Sequence, residues 1–230
     1  MSSQRPENNL ETLRKGFDVQ AVDILTSTRI DNKDLRIDDS IRKIARPLKY
    51  AVSIGIRLSS AVLATAKTKP TWTYYYHYRT VNFALDQAAL AIAGKCQRMG
   101  YTALPIPASQ VLDWDRLLGH LSHREIGAMA GVGWKGRNNL LVTGEYGSQV
   151  RYTTILTDLP LPDCGEGAVT DSCGSCKRCI EVCPAGAIKE DPDGFDLDKC
   201  AAQLRRFSKS EKINNLICGL CLRVCGGNND

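Results

Sequence analysis

Eight of the ten cysteines in this 230-residue chain lie between positions 173 and 225, at spacings that suit metal ligation. The first run reads Cys173-x2-Cys176-x2-Cys179-x3-Cys183, and Pro184 follows it directly. Three thiolates two residues apart wrap one turn of chain around a single cluster, and the fourth leaves in another direction. This spacing is typical of 4Fe–4S ligation. The run therefore predicts that the chain binds an iron–sulfur cluster.

A second set of four cysteines follows between positions 200 and 225, and its last three repeat the end of the first run. Four plus four cysteines meet the ligand requirement of two cubane clusters. In two-cluster ferredoxins the fourth cysteine of each run ligates the other cluster, so we expect crossed sets. One cluster is predicted to take Cys173, Cys176, Cys179 and Cys225, and the other Cys183, Cys200, Cys218 and Cys221.

A pair of zinc sites is the alternative for these cysteines, because zinc also uses C-x2-C pairs. Zinc sites usually hold two such pairs apart, whereas an x2–x2–x3 run followed by proline suits a cubane. Two thiols remain outside both sets. Cys96 lies on the apolar stripe of a predicted helix and is expected to be a buried, inert thiol. Cys164 precedes the first run and is interpreted as a loop thiol.

The composition indicates an ordinary globular protein, with 43% hydrophobic and 24% charged residues, and it excludes a disordered chain. The opening 15 residues contain no apolar leader segment, and no apolar run approaches the roughly 18 residues of a membrane span. We therefore expect a cytoplasmic protein without membrane association, in which clustered cysteines bind metal. The net charge of +5 indicates acidic partners only weakly.

The chain divides into two predicted domains. Residues 1–162 are expected to form a mixed α/β core that holds a cofactor or substrate, and residues 163–230 a two-cluster module of the ferredoxin type. The second segment has few large apolar residues, so we expect it to fold around its metal. In the core, residues 50–58 predict a strand, and residues 73–99 predict the longest helix, which Gly100 terminates.

Further elements of the core follow from local signals. Residues 101–107 predict a short extended segment, which Pro105 and Pro107 restrict to an edge of the sheet or an exit from it. The pattern Ser122-x-x-Glu125 is a capping box and predicts a helix N-terminus. Residues 139–143 and 150–157 predict the two strands of a hairpin.

The segment 130–140 is the best candidate for a cofactor loop in the core. It reads AGVGWKGRNNL and places three glycines within six residues, which permits a close approach of backbone to a ligand. Trp134 offers a flat apolar face, and Lys135 and Arg137 could pair with carboxylate, amide or phosphate groups. The alternative is a helix-ending glycine loop with a core tryptophan, since neither a Walker A nor a dinucleotide motif is matched.

Taken together with the cysteines, three segments resemble the epoxyqueuosine reductases. The loop AGVGWKGRN is similar to that family's A-G-L-G-W-x-G-K-x loop, a Gly-Ser turn follows at Gly147 and Ser148, and TDLPLP at 157–162 is similar to its T-D-L-x-L-P exit. The cysteine layout also resembles that family and its relatives, the reductive dehalogenases. The similarity covers roughly residues 70–225, and the first 50 residues match little.

The resemblance implies an α+β protein, with a nitroreductase-like core of the cobalamin-processing type followed by a two-cluster ferredoxin-like module. It also implies a reductase in which the proximal cluster passes single electrons to a base-off cobalamin held between core and module. Carried onto this sequence, the residues expected to line or neighbour the corrinoid are Gly131, Gly133, Trp134, Gly136, Arg137, Asn138 and Ser148.

The proton donor departs from the epoxyqueuosine reductase pattern. That family carries an acidic residue near the start of the long helix, where this chain reads TYYYHY at 73–78 without a carboxylate. A tyrosine donor resembles the dehalogenase solution, and a buried tyrosine beside a cation can act as general acid. Tyr75, Tyr76 and His77 are the predicted catalytic residues, and Tyr76 and His77 are favoured. The alternative is that this aromatic cluster only packs.

The expected partners are a small-molecule substrate and an external electron donor such as ferredoxin or flavodoxin. The chain ends five residues after Cys225, without the helical repeats that epoxyqueuosine reductases use for tRNA. Each oxidised cluster also adds a charge of about −2, so a tRNA substrate is not expected. A homodimer, in which a second copy completes the pocket, is one expected assembly. An electron-transfer protein without corrinoid, or a core that holds flavin, is the alternative function.

Overall fold

The computed structural model describes residues 6–15, 22–165 and 172–227. Its contacts divide the chain into two compact units. The first, called here the sheet unit, comprises Met1–Ile56, Asn82–Val132 and Arg151–Val169; the second, the cysteine unit, comprises Arg57–Val81, Gly133–Val150 and Thr170–Asp230. Each unit combines three separate segments, so the linear division at residue 162 stays a prediction about domains rather than a description of these units.

The described residues form a mixed α+β fold. The helices are α1 (Pro6–Arg14), α2 (Asp39–Ala45), α3 (Ser60–Leu63), α4 (Trp72–Arg98), α5 (His123–Met129), α6 (Arg178–Glu181), α7 (Leu197–Ser210) and α8 (Leu220–Arg223), with a 3-10 turn at Pro192–Gly194. The strands are β1 (Ile24–Arg29), β2 (Tyr50–Arg57), β3 (Ala103–Ile106), β4 (Trp134–Lys135), β5 (Leu141–Val142) and β6 (Val150–Thr157).

The main sheet has the strand order β1-β2-β6-β3. β1 runs antiparallel to β2, with Ile24 opposite Gly55, and β3 runs antiparallel to β6, with Ala103 opposite Thr157. The two central strands are almost entirely buried, because both of their faces are covered. The predicted strand at 50–58 and the edge position of the proline-containing segment are both confirmed.

The predicted hairpin of residues 139–143 and 150–157 is wrong. β5 pairs backwards with β4, so that Leu141 lies opposite Lys135, while β6 lies between β2 and β3 in the main sheet. The apolar content of β6 suits a central strand, and Ile155 and Leu156 are fully buried there. Because strand pairing depends on distant segments, proximity along the chain favoured the wrong partner for β6.

Two helices that the sequence predicts, α5 and α4, are present in the structure. The Oγ of Ser122 accepts a hydrogen bond from the Glu125 backbone N–H, which confirms the predicted start of α5. This cap directs Ile126 into a buried apolar cluster that also contains Leu48 and Leu156. The long helix predicted at 73–99 is confirmed as α4.

Helix α4 ends at the predicted glycine. Gly100 has a φ of +86°, a left-handed conformation that costs little only for glycine. Cys96 on this helix is completely buried, and burial raises the pKa of its thiol, as expected of an inert cysteine. Although α4 has 27 residues, no helix in the described ranges is both long and apolar enough to cross a bilayer.

The cysteine unit has a small apolar cluster of its own, formed by Ala66, Phe207 and Leu220. Val182 and the cysteine at 218 pack against this cluster. Helix α7 contributes Phe207 to this cluster. Asp196 caps the N-terminus of α7, since its side chain accepts a hydrogen bond from the Lys199 backbone N–H. The expectation that the cysteine-rich segment folds around its metal stays a prediction.

Candidate metal centre

Four thiols of the cysteine unit line one cavity of about 60 Å³, those of Cys173, Cys176, Cys179 and Cys225. Cys179, carried by α6, is buried, and burial raises its pKa to about 11. The neighbouring thiols of Cys225, Cys173 and Cys176 raise that pKa further. The last cysteine of the chain therefore lies with the first three, although it is distant from them in sequence.

A second group of thiols consists of Cys183, Cys200, Cys218 and Cys221. Burial raises the pKa of Cys218 to about 11, and the thiols of Cys200 and Cys183 add to the effect. Burial likewise raises the pKa of Cys221 well above its usual value, with further contributions from its neighbours in this group. Thiolates so costly to form in the free protein need a metal to hold their charge.

The two groups adjoin each other. The thiol of Cys179, from the first group, is among the neighbours that raise the pKa of Cys221, from the second. The structure thus brings together the same crossed groups that the ferredoxin rule predicts. Clusters held by these groups would lie side by side, which is the arrangement that electron transfer between them requires.

The zinc alternative finds no support in the geometry. Within the described part of the chain, no three His, Cys, Asp or Glu side chains converge on the position of one metal ion. The cavity of the first thiol group also has room for several waters rather than for one ion. In a cubane each cysteine binds a different iron, so its four ligands need not converge on one position.

The three glycines of residues 131–136 lie where the chain packs too closely for a side chain. A Cβ on Gly133 would lie 1.9 Å from the Val142 carbonyl oxygen, and one on Gly136 would lie 2.5 Å from the Val142 side chain. Gly131, in the sheet unit, has a φ of +75°, and a Cβ there would lie 2.9 Å from the Cys164 carbonyl oxygen. Gly133 and Gly136 allow β4 to lie close to β5, and Gly131 allows the backbone to lie close to Cys164. The predicted contact of these glycines with a corrinoid stays a prediction.

Arg137 binds the segment that carries the first cysteines. Its guanidinium donates to the carbonyl oxygens of Gly174 at 2.7 Å, Cys176 at 2.9 Å and Glu190 at 2.6 Å. The neighbouring Lys135 forms an exposed ion pair with Asp193 at 2.8 Å. Both cations of the loop are therefore engaged with the cysteine-rich segment.

Asn138 and Ser148 continue this contact to the last cysteine. The Asn138 side-chain amide donates to the Ser148 Oγ at 3.0 Å, and both residues are buried. The Ser148 backbone N–H donates to the Sγ of Cys225 at 3.3 Å. The hairpin thus supplies one hydrogen bond directly to a predicted cluster ligand.

Trp134 lies beside these residues on the same cavity. It is 9% exposed, and its Nε1 has no hydrogen-bond partner among the described residues. The cavity that Trp134, Arg137 and Asn138 line is far smaller than the pockets of roughly 300–1,000 Å³ that hold organic ligands. Binding of a corrinoid by this chain therefore stays a prediction.

The predicted catalytic residues lie on the first turns of α4, within the cysteine unit. Tyr76 is 57% exposed, and its ring contacts that of Tyr75. Tyr75 is the one beside a cation, because the Arg79 guanidinium lies 5.5 Å from its ring centre. His77 Nε2 accepts a hydrogen bond from the Ser59 backbone N–H at 2.9 Å, and burial lowers the pKa of this histidine. Their catalytic role stays a prediction.

Sequence reasoning missed a close contact between α4 and the second cysteine group. A Cβ on Gly219, which lies between Cys218 and Cys221, would be 2.7 Å from the ring of Tyr74. Tyr74 is 2% exposed, so this tyrosine packs while its neighbour Tyr76 faces outward. The positive φ of +82° at Gly219 could not be predicted from the spacing of the cysteines.

Sequence reasoning also missed two glycines near the last cysteine. A Cβ on Gly147 would lie 2.1 Å from the Cys225 carbonyl oxygen. A Cβ on Gly227 would lie 2.5 Å from the carbonyl oxygens of Thr143 and Gly144. The turn after β5 and the segment after Cys225 therefore pack backbone against backbone, which is how the last cysteine is held near the others.

Cys164 remains apart from both thiol groups. It is an exposed residue of the sheet unit, where its backbone N–H donates to the Ser27 carbonyl oxygen at 3.1 Å. Its Sγ lies 3.9 Å from the Ser27 Oγ. This position is that of a loop thiol.

Comparison with known proteins identifies the cysteine-rich segment. Residues 172–228 match the family model described as "4Fe-4S double cluster binding domain". The epoxyqueuosine reductase of Bacillus anthracis is 38% identical over 118 residues, which are 48% of this chain and 30% of that protein. The aligned region thus extends beyond the cluster domain but spans less than a third of the relative.

Solved structures share the fold. A reductive dehalogenase, reported with a mechanism for B12-dependent dehalogenation, superposes with a TM-score of 0.75 at 20% identity, over 100% of this chain and 33% of its own. Epoxyqueuosine reductase from Streptococcus thermophilus superposes with a TM-score of 0.60 at 18% identity, over 96% of this chain and 66% of its own. At such identities the likeness concerns the fold alone.

The cysteine-rich domain accordingly binds two 4Fe–4S clusters, and the resemblance inferred from the motifs is confirmed. The core is described by the same comparisons as a mixed α+β fold similar to that of the reductive dehalogenases. Residues 172–228 match a 4Fe–4S double cluster binding domain, and the chain is similar in sequence to epoxyqueuosine reductases and in fold to reductive dehalogenases.

Proposed function

We propose that this chain is an iron–sulfur reductase that delivers single electrons through two adjoining 4Fe–4S clusters to the reduction of a small molecule. The observation that carries the proposal is the pair of crossed thiol groups, joined where Cys179 neighbours Cys221. Two 4Fe–4S clusters held by these groups would transfer one electron at a time and would not bind the substrate themselves. The relationship to epoxyqueuosine reductases supports a reductive outcome.

The ligand sets belong to this proposal. The first cluster takes the four cysteines that line the cavity, and the second takes the four cysteines of the buried group. The first cluster then lies beside Trp134, Arg137 and Asn138, on the loop that the resemblance assigns to the electron acceptor. We therefore assign the proximal position to the first cluster.

The acceptor proposed from the resemblance is a base-off cobalamin, bound outside the thiol-lined cavity. Cobalamin would supply a metal that accepts single electrons and reduces the substrate. The support is the fold shared with a protein reported to carry out B12-dependent dehalogenation. The tyrosines Tyr75 and Tyr76 with His77 remain the proposed proton donors, and ferredoxin or flavodoxin the proposed class of electron donor.

One observation favours a second candidate, an electron-transfer protein without corrinoid that serves a partner enzyme. The loop residues expected at the corrinoid are engaged with the chain's own cysteine segment, Arg137 through three donated hydrogen bonds. A loop used in this way needs no second cofactor. A flavin in the core is the remaining variant of this candidate.

Titration of the protein with cobalamin separates the two candidates. The protein is reconstituted anaerobically with iron and sulfide, its iron content is measured, and cobalamin is added while the absorbance spectrum is recorded. Binding at micromolar corrinoid with the spectral shift of base-off cobalamin is the expected result. A protein with both clusters but no spectral shift would sink the cobalamin proposal and favour electron delivery to a partner.

A further inference from the structure

The indole of Trp134 is a buried donor without an acceptor in the protein. The residue is 9% exposed, and its Nε1–H has no partner among the described residues. Buried tryptophan N–H groups nearly always form a hydrogen bond, because an unpaired donor loses its bond to water without replacement. The orphaned donor therefore points to an acceptor that only the bound state contains.

The surroundings of Trp134 identify that acceptor. Trp134 lines the same cavity as the four thiols of the first group. The neighbouring polar residues of the hairpin are already paired, since Asn138 donates to Ser148 and Arg137 to three carbonyl oxygens. What the cavity would gain with a cluster is a set of sulfur acceptors, both sulfide and thiolate.

The same hairpin already shows a donor directed at this site. The Ser148 backbone N–H donates to the Cys225 Sγ at 3.3 Å. Hydrogen bonds to cluster sulfurs stabilise the more negative, reduced state and are one of the factors that set the reduction potential. A second donor from β4 would act in the same direction.

We propose that the Trp134 Nε1–H donates a hydrogen bond to a sulfur of the first 4Fe–4S cluster and raises its reduction potential. The proposal rests on the ligand set assigned to that cluster above. One electron from an external reductant adds to the iron–sulfur core, no covalent bond changes, and the indole keeps its proton. Trp134 is thus a residue that tunes and positions the cluster and takes no part in the chemistry of the substrate.

The test is a redox titration of the Trp134→Phe variant, in which the ring is kept and the donor removed. Both proteins are reconstituted anaerobically, reduced stepwise with dithionite, and followed by electron paramagnetic resonance. At the potential that half-reduces the first cluster of the unmodified protein, we expect the ratio of reduced to oxidised first cluster to fall about fivefold in the variant. The second cluster should keep its potential and provides an internal reference.

Trp114→Phe is the matched control, because Trp114 belongs to the sheet unit and is 62% exposed. It should leave both clusters unchanged. An unaltered first-cluster ratio in a fully iron-loaded Trp134→Phe protein would overturn the proposal. Failure of the unmodified protein to form a cluster at the four assigned cysteines would instead refute the ligand set, which the iron content and cysteine variants report separately.

A measurement on the unmodified protein guards against a variant that loses its iron. With tryptophan nitrogen labelled as ¹⁵N, the reduced first cluster should show a hyperfine coupling to one indole nitrogen. The coupling should be present in the Trp114→Phe protein as well. Its absence in the labelled, fully loaded protein would contradict the hydrogen bond without any appeal to folding.

Discussion

Arg137 alone donates three hydrogen bonds to the backbone of the cysteine-rich segment. Its planar guanidinium presents donors in a fixed geometry, and three of them reach carbonyl oxygens, those of Gly174 and Cys176 within the first cysteine run and that of Glu190 after it. Lysine has neither the fork nor the reach to bind three carbonyls. Arg137, which was predicted to contact a corrinoid, therefore binds the backbone of the cysteine-rich segment.

Gly147 is a position where one added methyl group should disturb the metal centre. It has a φ of +57°, and a Cβ there would lie 2.1 Å from the Cys225 carbonyl oxygen. We expect Gly147→Ala to lower the free energy of unfolding by about 3 kcal/mol, through left-handed strain and overpacking together. Anaerobic urea denaturation of the cluster-loaded protein measures this loss.

Gly186→Ala provides the control for that variant. Gly186 has a nearly identical φ of +59°, but a Cβ there meets no heavy atom within 4 Å. It should therefore lose only the strain of a left-handed alanine, about 1 kcal/mol. Equal losses in the two variants would show that the contact with Cys225 contributes nothing.

His123 should make the stability of the sheet unit depend on pH. Its Nδ1 lies 2.8 Å from the Thr154 Oγ1 and its Nε2 3.1 Å from the Pro107 carbonyl oxygen, and burial lowers its pKa to about 4. Between pH 6.5 and 4 the unfolded chain binds the proton and the folded one does not, so stability falls as the pH falls. We expect the free energy of unfolding to be about 2 kcal/mol lower at pH 5 than at pH 7 from this group.

Comparison with His123→Gln isolates that effect. Glutamine cannot titrate in this range, so the variant should show a flatter dependence on pH, measured by urea denaturation between pH 7 and 5. The iron content is recorded at each pH, so that acid loss of the clusters is not counted as protonation of the histidine. An unchanged slope in the variant would show that His123 does not carry the dependence.

At the scale of elements, the main sheet depends on β6 as its central strand. Seven of its eight positions are buried, and Ile155 and Leu156 are completely so. The short β4–β5 hairpin, in contrast, has two residues in each strand and belongs to the cysteine unit. The chain leaves β5 and enters β6 within eight residues, and by doing so changes from one unit to the other.

Truncation within β6 should test its central position. We expect Ile155→Ala to lower the free energy of unfolding by roughly 2–5 kcal/mol, because a fully buried side chain leaves a cavity. Ile44→Ala is the matched control on the exposed face of α2, where the side chain is 56% exposed, and it should change stability by less than about 0.5 kcal/mol. A loss below 1 kcal/mol for Ile155→Ala would contradict the buried central strand.

At the scale of the whole molecule, the two units differ in what stabilises them. Each unit contains buried apolar clusters, among them one with Ile126 and Leu156 in the sheet unit and one with Phe207 and Leu220 in the cysteine unit, but only the latter unit also carries the eight clustered thiols. Eight thiols in the latter are close enough to raise one another's pKa or lie in one cavity, an arrangement that is unfavourable without metal. Cluster binding and folding should therefore be coupled in the cysteine unit.

Removal of iron should reveal this difference between the units. After treatment with an iron chelator, we expect backbone amides of residues 172–227 to lose their protection from hydrogen exchange, while β2 and β6 keep theirs. Hydrogen-exchange mass spectrometry with and without chelator measures both regions in one sample. Equal protection of the cysteine unit in the iron-free protein would show that it folds without its clusters.

Features that depend on a few neighbouring residues were predictable from the sequence. The cap at Ser122, the end of α4 at Gly100 and the edge position of β3 follow from hydrogen-bonding and steric rules that act over one turn of chain. The partner of β6 and the role of Arg137 were not predictable, because each depends on segments tens of residues away. The contact of Gly219 with Tyr74 belongs to the same class.

The sequence by itself indicated that the chain binds two 4Fe–4S clusters, because ligand spacing is a property of the local chain; the crossed assignment of cysteines to the two clusters stays a prediction. Only the tertiary structure decided what surrounds them. It placed Arg137 against the cluster segment and left the buried Trp134 donor, on a residue that lines the cavity of the first thiol group, without a partner among the described residues. A donor's acceptor is set by packing in space, and no spacing along the chain encodes it.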